Sequence, residues 1–353
     1  MVLIEVKENY MKVTKEFKRF IGKASKLTST RNPAIMSYVN FTNKRTVEAL
    51  NFTVEMTLTL TENHNLKGVC LRIQDIKDIL KVWKDFEIIQ EDEKIYAVKD
   101  GIKKQFIIRE YSKNFPELHS TQIQAYQDIP LNLFDAYVKA SQFVSKDVLK
   151  PAFCGVFFDK DSAVCATNGY MLYLQEASGF EIKFPNIIAV HSILQNLKAI
   201  KLRMTEDGLF IITQYVTYFV KKINSVFPKY AKVIPDFTKN YSTISFKKNL
   251  LTKVTDIHKF MKIGKMKENH LILTNNKIGY STLGNSQFTY EEPFDFVAEN
   301  EFKFVVNITY FKTFLKNMNF FLNSGTIKYR DKYKAIGAIS NFELMLLMPI
   351  AIE

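Results

Sequence analysis

Little in this sequence marks an enzyme, a secreted protein or a membrane protein. Its 353 residues include three cysteines, twelve glycines, nine prolines and one tryptophan. Cys70, Cys154 and Cys165 form no C-x-x-C pair, and their odd number points to a reducing compartment and to no disulfide framework. His64, His119, His191, His258 and His270 are never four residues apart, and the H-E-x-x-H, G-x-S-x-G and P-loop patterns are absent. Asp159 and Asp161 in FFDKDSAV lie between two strand-like runs, where aspartate is an ordinary hairpin-turn residue rather than a metal ligand. Glu91-Asp92-Glu93 reads as a polar hairpin tip for the same reason, and Cys154 and Cys165 sit in apolar strands, where a free cysteine is inert core. No apolar run approaches the ~20 residues of a membrane span. Glu5, Lys7 and Glu8 interrupt any apolar start, so no signal peptide is expected. These absences predict a cytoplasmic, non-catalytic protein with no cofactor, no metal and no membrane partner.

What is present is charge and apolar mass. The formal net charge is +13 and 47% of residues are hydrophobic, with a pI near 9.3. A folded chain with a basic surface selects polyanions, nucleic acid first. The competing reading is a soluble protein that is merely rich in lysine. Arginine is confined to positions 19, 31, 45, 72, 109, 203 and 330, as translation from an AT-rich genome would produce.

The chain repeats itself. NPAIMSYVNF (32–41) returns as KPAFCGVFF (150–158), with Pro33 and Pro151 118 positions apart, and NFPEL (114–118) returns as VFPKY (226–230), with prolines 112 apart. Asp78-Ile79-Leu80 with Trp83 is echoed by Ser192-Ile193-Leu194 with Leu197 and by Thr313-Phe314-Leu315 with Met318. ALNFT around Asn51, ATNGY around Asn168 and STLGN around Gly284 form a fourth set. Four markers in one order at one spacing define three tandem units, 1–125, 126–243 and 244–353. Helical periodicity over 9–26 (Val13, Phe17, Phe20, Ile21, Ala24) and 72–86 (Ile76, Ile79, Leu80, Trp83) alternates with strand-like stretches at 54–60, 104–111 and 209–220. The fold class is α+β with antiparallel sheets, repeated three times.

The basic residues are patterned. On a helix, Lys12, Lys15, Arg19, Lys23 and Lys26 share one quadrant opposite the apolar stripe, and Lys77, Lys81 and Lys84 share a face away from Ile76 and Ile79. Lys312 and Lys316 repeat the places of Lys77 and Lys81, whereas the middle unit offers only His191, Gln195 and Lys198. Any amphipathic helix has a solvated charged face. Reuse of one register in two units, with few acids among the lysines, favours a phosphate-facing row that binds without reading sequence.

One stretch resists these readings. CATNGYMLYL (165–174) is an apolar run broken by the turn signal Thr167-Asn168-Gly169, and it places Tyr170, Met171 and Leu172 at a loop tip that should be polar. KPAFCGVFFD, then ATNGYML, then FPKYAKVIP, then a chain ending LLMPI together resemble the bacterial replicative sliding clamps, the β subunits of DNA polymerase III. Those proteins carry stretches close to RPxLxGVLF, ATDGHRL, FPDYRxVIP and VMPMRL, and VNITYFKTFLKNM (306–318) is similar to their N-x-x-Y-L-x-x-x-L segment. The resemblance runs over the whole chain.

It implies three clamp domains per subunit and a head-to-tail homodimer closing a ring around duplex DNA, bound without sequence preference. It also implies a hydrophobic pocket that holds short peptide motifs of DNA polymerase, the clamp loader and other replication or repair proteins. Carried over by motif, that pocket would use Phe153, Thr167, Gly169, Tyr170, Met171, Leu172, Pro228, Lys232, Val233, Leu346, Met348, Pro349 and Ile350. Lys12, Lys15, Arg19, Lys23, Arg31, Lys77, Lys81, Lys84, Lys150, Lys312 and Lys316 would face DNA. Phe106 and Ile108 would meet Phe260 and Met261 of the other subunit. Tyr170-Met171 stands where the family has His-Arg, and Ala351-Ile352-Glu353 where an Arg-Leu ending is common, so the pocket rim is less basic. The resemblance also admits a phage- or mobile-element-borne clamp paralogue that recruits partners outside replication. A phosphate-directed nuclease, the rival from another class, would need a carboxylate cluster that the sequence does not offer.

Overall fold

The computed structural model describes residues 10–28, 34–43, 45–66, 68–107, 112–119, 125–161, 163–176, 179–263, 269–281, 287, 289–318, 324–340 and 342–351. The first repeat runs β1 (Tyr10–Lys12), α1 (Lys15–Ala24), β2 (Tyr38–Asn43), β3 (Thr46–Leu50), β4 (Val54–Thr59), β5 (Val69–Arg72), α2 (Ile73–Val82), β6 (Glu87–Glu91), β7 (Lys94–Lys99) and β8 (Ile102–Gln105). The second follows with β9 (Tyr126–Ile129), α3 (Asn132–Ala140), β10 (Gly155–Phe158), β11 (Ala163–Thr167), β12 (Met171–Glu176), β13 (Asn186–Ala189), β14 (Lys201–Thr205), β15 (Gly208–Ile212) and β16 (Val216–Lys221). The third has β17 (Ser242–Lys247), α4 (Asn249–Ile263), β18 (His270–Thr274), β19 (Lys277–Ser281), β20 (Tyr290–Pro293), β21 (Val297–Ala298), β22 (Lys303–Asn307), α5 (Ile308–Asn317), β23 (Ser324–Tyr329), β24 (Ile336–Ile339) and β25 (Glu343–Leu347). Strand, helix, four strands, helical segment, three strands: that order occurs three times, with the two-residue β21 as an addition in the last.

By contacts the chain divides into two compact units, residues 1–134 with 188–222 and residues 135–187 with 223–353, so the second repeat is shared between them. The first unit holds a sheet β5-β2-β3-β4-β16-β15-β14-β9 and a four-stranded sheet β1-β6-β7-β8. The second holds β13-β10-β11-β12-β25-β24-β23-β17-β21 and β20-β19-β18-β22. Each long sheet is made by two successive repeats joined edge to edge. β4 meets β16 with Glu55 opposite Phe219, and β12 meets β25 with Leu172 opposite Leu346. Helices cover the sheets with their apolar stripes. Phe17, Phe20, Ile21 and Ala24 of α1 are buried, as are Ile308, Phe311, Phe314 and Leu315 of α5.

Several helix boundaries differ from the periodicity. The first helix begins at Lys15 because Thr14 caps it, its hydroxyl accepting from the Phe17 amide at 3.2 Å. Lys12 therefore lies on β1, not on the helix. The second ends at Val82, since Trp83 is extended at φ −112° and ψ 111° and turns the chain toward β6, which leaves Lys84 outside. In the middle repeat the second helix shrinks to a 3₁₀ turn over Ser192–Leu194, where the His191 Nδ1 accepts from the Ile193 amide at 3.2 Å. The single run read at 209–220 is the hairpin β15–β16, folded about Tyr215 between Ile212 and Val216.

One buried carboxyl in the first unit carries a pH signature. Glu48 on β3 is 3% exposed and accepts from Asn40 Nδ2 at 3.2 Å. Desolvation, reinforced by the nearby Glu55 charge and only partly offset by the Asn40 bond, pushes its pKa up from 4.5 to about 7. The folded state thus holds a proton that the unfolded chain releases between these values. Stability from this group is present below pH 4.5, falls as pH rises through that window, and levels off above pH 7. Glu48→Gln should leave stability nearly unchanged at pH 4.5 and raise it by about 3 kcal/mol at pH 8. Urea unfolding of both proteins at the two pH values checks this, and equal gains at both would refute it.

Candidate functional site

The turn inside CATNGYMLYL is built by its own side chains. Asn168 Oδ1 accepts from the Tyr170 and Met171 amides at 2.9 and 2.8 Å. Thr167 Oγ1 accepts from the Gly169 amide at 3.0 Å and donates to the Met171 carbonyl at 2.6 Å. Gly169 has φ +89°, a conformation side chains resist. The Met348 amide donates to the Tyr170 carbonyl at 2.8 Å, which ties the chain after β25 to this turn.

Beside the turn opens a cavity of about 330 Å³ within the second unit. Ten of the residues carried over for the pocket line it: Phe153, Thr167, Gly169, Tyr170, Met171, Leu172, Pro228, Val233, Leu346 and Met348. Lys232, Pro349 and Ile350 do not, although the Ile350 amide bonds the Val305 carbonyl at 2.7 Å. Lys229, Tyr230 and Ala335 line the cavity too. Lys229 and Tyr230 were legible inside FPKY, whereas nothing in the sequence marks Ala335.

The floor is core: Leu172 and Leu346 are buried and pack with Cys165, Leu174 and Phe227. The rim is open, with Tyr170 59%, Val233 62% and Met348 41% exposed. Tyr170 stacks on Tyr310 at 5.6 Å, the tyrosine of the N-x-x-Y segment. Tyr230 donates its hydroxyl to Asp159 at 2.7 Å, and burial, then that bond, holds its pKa above the phenol range. Asp159 is thus a wall anchor as well as a turn residue. Burial likewise raises the Cys165 thiol, so no nucleophile is prepared here. Farther along, Phe237 lies so close over Gly337 that a Cβ there would meet its ring at 2.3 Å.

The basic residues separate into free and engaged. Lys12, Lys15, Arg19, Lys84, Lys150 and Lys316 are exposed, and Lys77 and Lys312 half-buried. Lys81 pairs with Asp78 one turn back at 2.6 Å. Lys23 is half-buried, donates to the Tyr218 hydroxyl at 3.1 Å and has its pKa lowered chiefly by desolvation. The stripes are therefore less free of acids than their sequence suggests. Burial also lowers the pKa of His191, which serves as a cap rather than a cation. Arg31 lies outside the described residues.

Of the four residues expected between subunits, Phe260 is 58% exposed, Phe106 and Met261 are buried, and Ile108 lies outside the described residues. On α4, Met261 follows Phe260 by 100° and faces inward. The exposed apolar residues nearby are Ile102, Ile107 and Val82 in the first repeat and Ile263 and Tyr290 in the third.

No family model matches the chain, and no curated protein matches it in sequence. Solved structures do match in fold. The DNA polymerase III β subunit of Thermotoga maritima aligns with a TM-score of 0.77 at 15% identity, covering 98% of this chain and 100% of that one. A DnaN sliding clamp of Bartonella birtlesii bound to griselimycin gives 0.79 at 17% identity, covering 97% and 100%. The DNA polymerase III subunit β of Borrelia burgdorferi in complex with a natural product gives 0.77 at 14% identity, covering 98% and 99%. The chain has the sliding-clamp fold from end to end.

Proposed function

We propose that this protein is a DNA sliding clamp, a non-catalytic processivity factor that closes around duplex DNA and tethers a polymerase through the cavity beside Tyr170. The observation that carries this reading is the cavity itself: an apolar floor under an open rim of Tyr170, Val233 and Met348, in a chain with the clamp fold throughout. An apolar surface kept open on a folded protein marks a partner site. Its Met171 and Met348 suit several peptides, because thioether chains repack easily. Partners are then short apolar peptide segments of DNA polymerase and of a clamp loader, and the domains are residues 1–125, 126–243 and 244–353.

Two copies would join head to tail, giving six similar domains around the duplex. The lysines of α2 and α5, exposed at Lys81 and Lys316 and half-buried at Lys77 and Lys312, would face phosphates without reading bases. The decisive experiment is loading onto circular duplex DNA by an ATP-dependent loader, followed by primer extension. Retention on circles and release on linearisation support the clamp, and cleavage of the circle would end the reading.

A quantitative expectation attaches to the DNA face. Lys77→Glu, Lys312→Glu and Lys316→Glu together should weaken duplex binding about 10- to 100-fold at 100 mM salt and flatten the salt dependence by roughly 2–3 in log–log slope. Lys81→Glu alone should do less, because Asp78 already neutralises that lysine. Binding titrations from 50 to 200 mM salt decide it. An unchanged slope in the triple variant would remove these residues from the DNA face.

A further inference from the structure

The joints between repeats follow one rule, and one pair of edges is left to obey it. β4 and β12 hold the same place in their repeats, and so do β16 and β25, the last strands of theirs. The joints β4–β16 and β12–β25 are therefore two copies of one antiparallel joint. β20 occupies the place of β4 and β12, and β8 the place of β16 and β25. Each of these two strands ends its four-stranded sheet.

The register transfers as well. After the hairpin turn, Thr46, Ala163 and Lys277 pair with Thr59, Glu176 and Pro293. The residue just before each partner is Leu58, Gln175 or Glu292. In the two formed joints this residue lies opposite the first residue of the last strand, Val216 or Glu343. The corresponding first residue of β8 is Ile102. A third joint would set Ile102 opposite Glu292, Lys103 opposite Glu291 and Lys104 opposite Tyr290.

These edges are opposite in charge, IKKQ against YEEP, although Glu291 and Glu292 already pair with Lys277 and Lys253 of their own chain. Tyr290 also belongs to a built recess. Its ring is 5.5 Å from that of Tyr280 and 6.5 Å from that of Phe260, and Phe260 lies 6.4 Å from Tyr280. The three line a cavity of about 360 Å³ whose wall also carries Glu292, bonded to Lys253 of the same wall at 2.8 Å, and Asp256, paired with Lys259 at 3.0 Å. The aromatic faces, rather than these engaged carboxylates, are what can receive a further cation. Lys103 already reaches Glu91 at 2.5 Å and lies over Tyr96. Lys104 is exposed and forms no ion pair among the described residues. We propose that Lys104 of one copy seats its ammonium in the Phe260–Tyr280–Tyr290 recess of a second copy, in register with Tyr290. This rests on the head-to-tail reading above, and it makes the recess a shared site that one copy cannot complete.

Two measurements test it, both on the full chain. In a Cys154→Ser background, Lys104→Cys with Tyr290→Cys should cross-link to a covalent dimer on mild oxidation. Lys103→Cys with Tyr290→Cys, whose side chains point to opposite faces, should not. In sedimentation, Lys104→Met and Tyr290→Leu should each raise the dimer dissociation constant about tenfold, and the double variant should rise no further, because both remove one interaction. If Tyr290→Leu disturbs folding by circular dichroism, Phe260→Leu takes its place. A monomeric wild type at micromolar concentration would defeat the head-to-tail reading itself. A dimer whose matched pair links no faster than the control would overturn the register. Single effects that multiply to about a hundredfold would empty the recess of this lysine.

Discussion

Glu55→Ala should lower the stability of the protein by about 3 kcal/mol, toward the lower end of the range for breaking a buried ion pair. Glu55 is 2% exposed and sits on β4, opposite Phe219 across the joint between the first and second repeats. One oxygen accepts from the His119 amide at 2.8 Å. The other takes His119 Nδ1 at 2.8 Å and Lys221 at 3.2 Å. The His119 ring stacks on Phe219 at 4.5 Å and 17°. A single carboxylate thus gathers the end of the first repeat and the last strand of the second. Truncation leaves the His119 amide unbonded and Lys221 without its partner, though the side chains of both partners are about a third exposed and recover some hydration, which keeps the loss near 3 rather than 5 kcal/mol. Glu55→Gln keeps an acceptor and should lose about half as much. Urea unfolding followed by fluorescence measures both. A loss below 1 kcal/mol for the alanine variant would mean that the joint is held by its ladder and apolar pairs alone.

That network shows where sequence reading stops. The repeat was legible because identical folding demands recur at fixed spacing: a proline before a strand, a turn after it, an apolar face on the second helix. The turn at Thr167-Asn168-Gly169 was legible because Asn and Gly have few other reasons to interrupt an apolar run. Glu55 was not, since within VEMTLTL it looks like any polar residue on the solvent side of an alternating strand. Its burial arises only when β16 and His119 arrive from 64 and more positions away. Lys23 and Lys81 fail for a related reason. Helical periodicity places a lysine on a face but says nothing of Tyr218 or Asp78 waiting there. The helix ends moved because Thr14 and Trp83 set them through local backbone geometry, which periodicity does not read. The cavity walls came mostly from motif resemblance, and Ala335, which belongs to no motif, came only with the fold.

Tyr170→Ala combined with Met348→Ala should leave the fold intact and weaken binding of a polymerase-derived peptide by about 1.5–3 kcal/mol or more, roughly 10- to 150-fold. The separation of the two effects follows from exposure. Both side chains lie on the open rim, at 59% and 41%, whereas the floor residues Met171, Leu172 and Leu346 are each 4% exposed. Removing rim atoms gives up area that only a bound peptide would bury, so the free protein loses little. The backbone bond from Met348 to Tyr170 and the Asn168 turn survive both changes, because neither uses the altered side chains. Loss of the Tyr170–Tyr310 stack costs an exposed aromatic contact of about 0.5–1 kcal/mol, too little to unfold the unit. A floor variant behaves differently: Leu346→Ala should destabilise by about 2–5 kcal/mol through cavity formation and reduce peptide binding as a consequence. Isothermal titration with the peptide, run beside thermal melts, separates the cases. Peptide affinity unchanged in the rim variant would remove the cavity from partner binding. A rim variant that melts as early as Leu346→Ala would show that Tyr170 and Met348 are core rather than a receiving surface.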